Sequence, residues 1–134
     1  MHTIHKTIKC LVWDLDNTLW DGILLEDIDV RLKENAVSTI KTMDERGILQ
    51  SVASKNDHDL AVRKLTEVGL LEYFIYPQIN WNSKVESIRQ IARNLNIGTD
   101  TIAFIDDQPG ELDEVGFSLP EVQCIHAKIG RAHV

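Results

Sequence analysis

Hydrophobic residues along the chain occur in two alternating patterns. Short apolar runs of strand length alternate with segments in which apolar residues recur at the helical period. The runs predict strands over residues 8–14, 48–54, 73–76, 101–106 and 122–125. The periodic segments predict helices over residues 35–46, 57–68, 83–95 and 110–116. This alternation is typical of an α/β fold, in which a central parallel sheet of about five strands carries helices on both faces.

The segment that follows the first strand departs from both patterns. Residues 19–30 fit a helix poorly, and Asp21-Gly22 is a turn signal between apolar residues. We therefore expect a small β-hairpin flap beside the end of the first strand. At the other end of the chain, we expect an unstructured tail over residues 130–134.

Length and composition are those of a small globular protein. With 134 residues, a single domain over residues 1–134 is expected, burying about two thirds of its unfolded surface. No apolar run approaches the roughly 20 residues of a membrane span. The N-terminal residues Met1–Lys6 lack the apolar core of a signal peptide, which favours a cytoplasmic location.

The charge balance limits the partners. The net charge is −7, from 14 basic and 21 acidic residues, so the chain has no electrostatic footprint for nucleic acid. We expect neither nucleic acid nor a membrane as a partner.

Cys10 and Cys124 lie in separate apolar segments without a metal-binding spacing, and both are interpreted as reduced core residues. The five histidines show no spacing suited to a metal or a catalytic triad.

Candidate chemistry begins where the first strand ends. Asp14 and Asp16 follow the apolar run Ile8–Trp13 and are two residues apart. Enzymes that transfer phosphate need one carboxylate to attack phosphorus and another to move a proton, which makes this pair a candidate. An isolated Asp after a strand also commonly caps a turn or a helix, so the pair alone leaves a structural role open.

Three further polar signals lie at the ends of predicted elements. Ser54 ends the second predicted strand, Lys84 begins the third predicted helix, and Asp106-Asp107 ends the strand over residues 101–106. Ligands of open parallel sheets bind at the carboxyl ends of the strands. A lysine in a first helical turn is unfavourable for the helix dipole, which favours a functional role for Lys84.

The order of these signals resembles the haloacid dehalogenase (HAD) superfamily, from about Ile8 to Ala127. The resemblance implies a Rossmann-like core with the first strand at its centre and the strand that ends at Asp106 beside it. The intervals from Asp14 to Ser54 and from Ser54 to Lys84 are filled by the flap, helices and strands, so no cap domain fits.

The resemblance also implies roles for individual residues. Asp14 would attack phosphorus and form an aspartyl-phosphate, while Asp16 would protonate the leaving group and then activate water. Ser54 would donate to a phosphoryl oxygen, and Lys84 would neutralise the transferring group. Substrate binding would further involve three residues: Thr18, which orients the loop or Asp14, and the backbone N–H groups of Lys55 and Asn56.

A divalent cation is implied by the gathering of carboxylates. If the strand order is that of the HAD core, Asp14, Asp16 and the Asp106-Asp107 pair meet in one cleft, where they repel one another. A hard ion, most plausibly Mg²⁺, would neutralise them. By resemblance its ligands are the Asp14 carboxylate, the Asp16 backbone carbonyl and Asp106, with Asp107 in an outer position.

Within the superfamily the chain resembles the FkbH-like group (subfamily IIIC). The resemblance is carried by Lys9–Val12, Asp14–Trp20, Ser54–Asp57 and Ile105–Pro109. It implies removal of phosphate from 1,3-bisphosphoglycerate and delivery of the glyceryl unit to an acyl carrier protein in polyketide or related biosynthesis. The chain departs from the group in two places. After Pro109 it has Gly110 and Leu112, where the group typically has a bulky aromatic residue and then an arginine. After Trp20 it has Asp21-Gly22, where the group usually has two glycines.

Other functions remain open alternatives. A generic capless Mg²⁺-dependent phosphatase would have the same residues. A phospho-accepting receiver also combines acidic residues, a hydroxyl and a lysine, but its acidic pair comes first along the chain and its lysine last. A catalytically silent domain that docks a carrier protein is a further alternative.

Overall fold

A central sheet forms the framework of the molecule. The computed structural model describes residues 7–128 and the backbone of Arg131–Ala132. The strands are β1 Cys10–Trp13, β2 Trp20–Asp21, β3 Arg31–Leu32, β4 Leu49–Lys55, β5 Gln78–Asn80, β6 Ile102–Asp106, β7 Gln123–His126 and β8 Arg131–Ala132. The sheet order is β5-β4-β1-β6-β7-β8; the first five are parallel and β8 runs antiparallel to β7. The predicted five-stranded parallel sheet with β1 at its centre is confirmed.

Helices connect the parallel strands and cover both faces. They are α1 Glu34–Glu45, α2 His58–Glu67, α3 Lys84–Leu95 and α4 Pro109–Ser118, with short 3₁₀ turns at Leu71–Tyr73 and Thr99–Thr101. Asp57 begins α2 by accepting from the Leu60 N–H, and Ser83 begins α3 by accepting from the Glu86 N–H. Between β1 and β4 lie only the flap and α1, so no cap domain is inserted there.

The alternation of side chains along β1 divides the core into two layers. Leu11 and Trp13 pack on one face with residues of α1 and α2. Cys10 and Val12 pack on the opposite face with residues of α3 and α4. Because β1 is apolar on both faces, it is buried along its whole length, which is typical of a central parallel strand.

The strand predicted over residues 73–76 is wrong. The chain forms a 3₁₀ turn at Leu71–Tyr73, and the strand comes later, as β5 at Gln78–Asn80. The Ile75 N–H donates one hydrogen bond to the Gln50 carbonyl at 2.8 Å. Tyr76 then takes a left-handed conformation (φ 49°), which breaks the extended backbone before Pro77.

The predicted hairpin flap is confirmed, but its turn is wider than Asp21-Gly22. β2 and β3 pair antiparallel, joined by residues 22–30, so the flap extends to Leu32. Gly22 has a φ of +101°, and a Cβ there would lie 3.3 Å from Val30 Cγ1, so this position favours glycine.

The tail is more ordered than predicted. Arg131–Ala132 form β8, which pairs with Ile125 and His126, whereas Gly130, His133 and Val134 lie outside the described residues. The N-terminal segment Met1–Lys6 also lies outside them. Among the helices that the structure describes, none combines the length and the apolar character needed to cross a membrane.

Gln50 is expected to be important for stability. Its buried side chain accepts from Trp13 Nε1 at 3.0 Å and donates to the Ile40 carbonyl at 2.8 Å, which links β1, β4 and α1. Replacement by leucine would leave the buried indole N–H without an acceptor, so Gln50→Leu should lower the free energy of unfolding by about 1–3 kcal/mol. Urea denaturation measures this loss. The exposed Gln123 provides the control, since Gln123→Leu should change stability by less than about 0.5 kcal/mol.

Both thiols are expected to be unreactive in the folded protein. Cys10 and Cys124 are buried and unpaired, and burial raises the pKa of Cys10 to about 12 and that of Cys124 to about 11. Since the thiolate is the reactive form, a disulfide reagent should label neither residue at about pH 8 and both residues in denaturant. Rapid labelling of the native protein would contradict the burial of the thiols.

Candidate active site

Two carboxylates and one ammonium meet at the carboxyl edge of the sheet. Asp14 follows β1 directly, and its N–H donates to the Ile105 carbonyl at 3.0 Å, which keeps it aligned with β6. Asp106 is the last residue of β6. Lys84 Nζ lies 3.0 Å from Asp14 Oδ1 and 2.7 Å from Asp106 Oδ2. Residues that are distant in sequence are therefore brought into one buried ion-pair cluster.

The position of Lys84 is explained by these contacts. It begins α3, where a positive charge is unfavourable for the helix dipole. Nevertheless its side chain is only 5% exposed, and its ammonium lies 5.4 Å from the centre of the Phe104 ring. Two carboxylate partners and an aromatic face replace the water that the ammonium loses on burial.

Burial and neighbouring charges shift the pKa values of the cluster in opposite directions. Burial raises the pKa of Asp14 well above its ordinary value, against the opposing effect of Lys84. Burial also raises the pKa of Asp106, again opposed by Lys84. For Lys84 itself, burial acts to lower the pKa, but the two carboxylates outweigh it and the net shift is upward. Lys84 therefore stays protonated, whereas the loss of water around Asp14 and Asp106 disfavours their ionised forms.

Thr18 joins the cluster to a third carboxylate. Its Oγ1 lies 3.0 Å from Asp14 Oδ2 and 3.3 Å from Asp107 Oδ1. A hydroxyl has a single proton, so it donates to one of the two carboxylates at a time. Thr18 thus fixes the direction of the Asp14 carboxylate, which is the contact that its predicted orienting role requires.

The donor set fits a hard divalent cation. Asp14, Asp106 and Asp107 each offer a carboxylate oxygen, and these oxygens lie within 4.8 Å of one another. Three carboxylates against one ammonium leave an excess of negative charge in a mostly buried site, and oxygen ligands are those that Mg²⁺ prefers. These residues could therefore hold Mg²⁺, as predicted.

The Asp16 carboxylate lies outside this group and faces the flap. Its Oδ1 accepts from Trp20 Nε1 at 2.9 Å and from the Leu24 N–H at 3.0 Å, and its Oδ2 accepts from Asn56 Nδ2 at 3.1 Å. Because both carboxylate oxygens of Asp16 are engaged in these contacts, its backbone carbonyl is the atom that could bind a metal, as the resemblance implies.

The turn after Asp16 is held by further contacts. Asn17 takes a left-handed conformation with a φ of 57°. Its side-chain oxygen accepts from the Gly22 N–H at 2.9 Å, and its carbonyl accepts from Lys33 Nζ at 2.8 Å. These bonds tie the turn both to the flap and to the start of α1.

The residues at the end of β4 lie near the cluster but have different partners. Ser54 is buried on β4. Lys55 Nζ forms an ion pair with Glu111 Oε1 at 3.2 Å. The Asn56 N–H donates to the Asn80 carbonyl at 3.3 Å, so it already has an acceptor and is not free to bind a phosphoryl oxygen. Neither Glu111 nor Lys33 carries a motif signal in the sequence, so their contacts emerge from the structure alone.

A cavity of about 610 Å³ lies away from the carboxylates, between α1 and the sheet face formed by β6 and β7. Its lining is mainly apolar and includes Leu11, Trp13 and Ile105. It approaches the cluster only through Thr18. Because Asp14, Lys84 and Asp106, whose pKa values are shifted, lie together at the sheet edge, the edge is the stronger candidate for chemistry.

Comparison with known proteins gives related structures but no family model. No protein-family model matches the sequence, and no curated protein matches it significantly. The N-terminal part of a Bacteroides fragilis protein, which contains a phosphatase domain complexed with Mg, is 31% identical with a TM-score of 0.82. The match covers 89% of this chain and 36% of that one, so this chain spans about a third of that relative.

Two further structures share the fold at lower identity. A candidate haloacid dehalogenase-like hydrolase from Bacteroides fragilis is 12% identical, with a TM-score of 0.74 over 90% of this chain and 87% of that one. The cobalt-bound deoxy-D-mannose-octulosonate 8-phosphate phosphatase of Haemophilus influenzae is 18% identical, with a TM-score of 0.66 over 90% and 68%. The chain therefore has the fold of HAD-superfamily phosphatases and hydrolases.

Proposed function

We propose that this chain is a Mg²⁺-dependent phosphohydrolase or phosphotransferase that acts through an aspartyl-phosphate on Asp14. The observation that carries the proposal is the Lys84 ammonium placed between Asp14 and Asp106 at the carboxyl edge of a HAD-type sheet. This arrangement presents a nucleophile beside a positive charge that can stabilise a transferring phosphoryl group. The Mg-bound phosphatase domain among the structural relatives supports it.

In the first step, Asp14 attacks phosphorus. One carboxylate oxygen of Asp14 forms a bond to phosphorus while the bond to the ester oxygen of the substrate breaks. The departing oxygen takes a proton from Asp16, which must be protonated at that moment. Lys84 and the Ser54 hydroxyl bind the phosphoryl oxygens, and Thr18 holds the Asp14 carboxylate in line for attack.

In the second step, water cleaves the aspartyl-phosphate. Asp16, now a carboxylate, takes a proton from water as the water oxygen attacks phosphorus. The bond between phosphorus and Asp14 breaks, which releases inorganic phosphate and restores both carboxyl groups. If another acceptor replaces water, the same step is a phosphotransfer.

Asp14, Asp106 and the Asp16 carbonyl would hold Mg²⁺, with Asp107 beside them. The cation would neutralise the carboxylates and the phosphoryl oxygens, which otherwise repel one another. The closeness of the three carboxylate side chains supports this set.

The finer proposal is an FkbH-like role. The substrate would be 1,3-bisphosphoglycerate, and the glyceryl unit would pass to an acyl carrier protein in natural-product biosynthesis. The motif blocks around Asp14, Ser54 and Asp106 support this proposal. A sheet edge without an inserted cap domain would also let a carrier protein approach. Leu112 at the position of the expected arginine is the feature that weighs most against it.

Loss of the nucleophile is the direct test of the chemistry. Asp14→Asn keeps the shape of the side chain but removes the attacking carboxylate, so Mg²⁺-dependent phosphate release should fall by about a thousandfold or more. Release is measured from an aryl phosphate and from 1,3-bisphosphoglycerate. Asp44→Asn on the exposed surface of α1 is the control and should retain full activity. Equal release by the Asp14→Asn variant would rule out the aspartyl-phosphate.

Binding of Mg²⁺ should stabilise the folded protein. At a concentration about a hundredfold above its dissociation constant, the ion should add about 2.7 kcal/mol and raise the melting temperature. The raised pKa values of Asp14 and Asp106 let protons compete with the metal, so the shift should shrink as pH falls from about 8 to about 5. Calorimetry on the wild type and on Asp106→Asn measures this effect. A shift of unchanged size in the variant would place the ion elsewhere.

A further inference from the structure

The face of β6 and β7 that looks towards α1 is only partly covered by the described helices. On the opposite face α4 packs against both strands, whereas α1 packs mainly against β4. Ala103 and Ile105 of β6 and Ile125 of β7 line the cavity of about 610 Å³ that lies on the face towards α1. Parallel strands are normally covered on both faces, and an apolar face left open commonly marks a binding site.

The size of the cavity suits a small molecule. Its volume of about 610 Å³ lies within the range of about 300–1,000 Å³ that is typical of ligand pockets. Two turns of an α-helix, about 11 Å long and about 10 Å across, would occupy about 850 Å³. The cavity extends along the strands, from Ile8 and Ile48, which precede β1 and β4, to Thr18 and Lys128, which follow β1 and β7. An elongated ligand therefore fits better than a helix of a partner protein.

The charged side chains around the cavity are all positive. Among the described residues that line it, Lys33 and Lys128 are charged and none is Asp or Glu, although the chain has 21 acidic and 14 basic residues. The Lys33 Nζ donates to the Asn17 carbonyl at 2.8 Å, which places it at the carboxyl edge of the sheet. Asp21 lies 3.9 Å from this Nζ, but its side chain is 75% exposed and does not line the cavity. One end of the cavity is therefore cationic and the other is apolar.

We propose that this cavity binds an amphipathic carboxylate, a molecule with an apolar chain and an anionic head. The chain lies along β6 and β7, where its removal from water favours binding. The carboxylate lies at the cationic end and accepts from the ammonium groups of Lys33 and Lys128. A cationic amphiphile is repelled by the same two residues. This site is distinct from the carboxylate cluster and does not depend on the proposed phosphatase reaction, although Thr18 belongs to both.

The test compares two ligands that have the same chain and different heads. Isothermal titration calorimetry should give a dissociation constant for decanoate about fivefold or more below that for decanol, since the head meets one partly buried and one exposed ammonium. In the double variant Lys33→Gln/Lys128→Gln the ratio should fall to nearly one, with the affinity for decanol unchanged. The matched control is Lys9→Gln/Lys41→Gln, which removes two exposed lysines outside the lining and should leave the ratio unchanged.

Two further variants test the location of the ligand. Ala103→Leu fills the cavity from β6, and Thr39→Phe fills it from the half-buried side of α1. Each should weaken the binding of both ligands by about tenfold or more, because the space for the chain is occupied. Melting temperatures verify that each variant is folded, and Thr39→Phe alone decides the location if Ala103→Leu is unfolded.

Three results would overturn the proposal. These are no binding of decanoate by the wild type, equal dissociation constants of the wild type for decanoate and decanol, and unchanged affinity in a folded variant with a filled cavity. Sedimentation of the wild type completes the test. A dimer that binds neither ligand would make this face an interface between two copies of the chain, and the proposal would again be wrong.

Discussion

The burial of the Lys84 ammonium between Asp14 and Asp106 is the interaction on which the site depends. Two carboxylates on neighbouring strands would repel each other in a buried environment, and the single ammonium offsets this only in part. The parallel register of β1 and β6 fixes the spacing of the carboxylates, and the start of α3 fixes the lysine. The geometry of the sheet thus creates an electrostatic imbalance at its edge, and that imbalance suits a divalent cation and a phosphoryl group.

The second carboxylate of the motif belongs to a different network. Asp16 is held by the indole of Trp20, by the backbone of the flap and by Asn56, so its orientation depends on the flap and on the loop after β4. The Asp14 and Asp16 carboxylates are therefore held by different contacts, although they are only two residues apart. In the proposed mechanism, the buried cluster around Asp14 would bind the phosphoryl group, and the flap-dependent Asp16 would transfer the proton.

Much of this arrangement could be predicted from the sequence, because hydrophobic periodicity determines the strands and the motif residues follow their ends. The sheet and the flap were accessible in this way, whereas the closeness of Asp14, Lys84 and Asp106 depended on the strand order that the resemblance to the HAD superfamily implies. The strand at Gln78–Asn80 was misplaced because apolar residues at 73–76 mimic a strand, whereas the left-handed Tyr76 interrupts it. The partner of Glu111 and the acceptor of the Asn56 N–H depend on contacts between distant loops, for which the sequence carries no local signal.

The outermost strands have a consequence for association between molecules. An exposed strand edge offers unpaired N–H and carbonyl groups to other chains. Here the β7 edge is paired with β8, a strand of two residues, and the opposite edge is β5, a strand of three residues preceded by Pro77. Edges this short present few backbone groups in register. Within the described residues, β5 and β8 therefore offer little edge to which a further strand could pair.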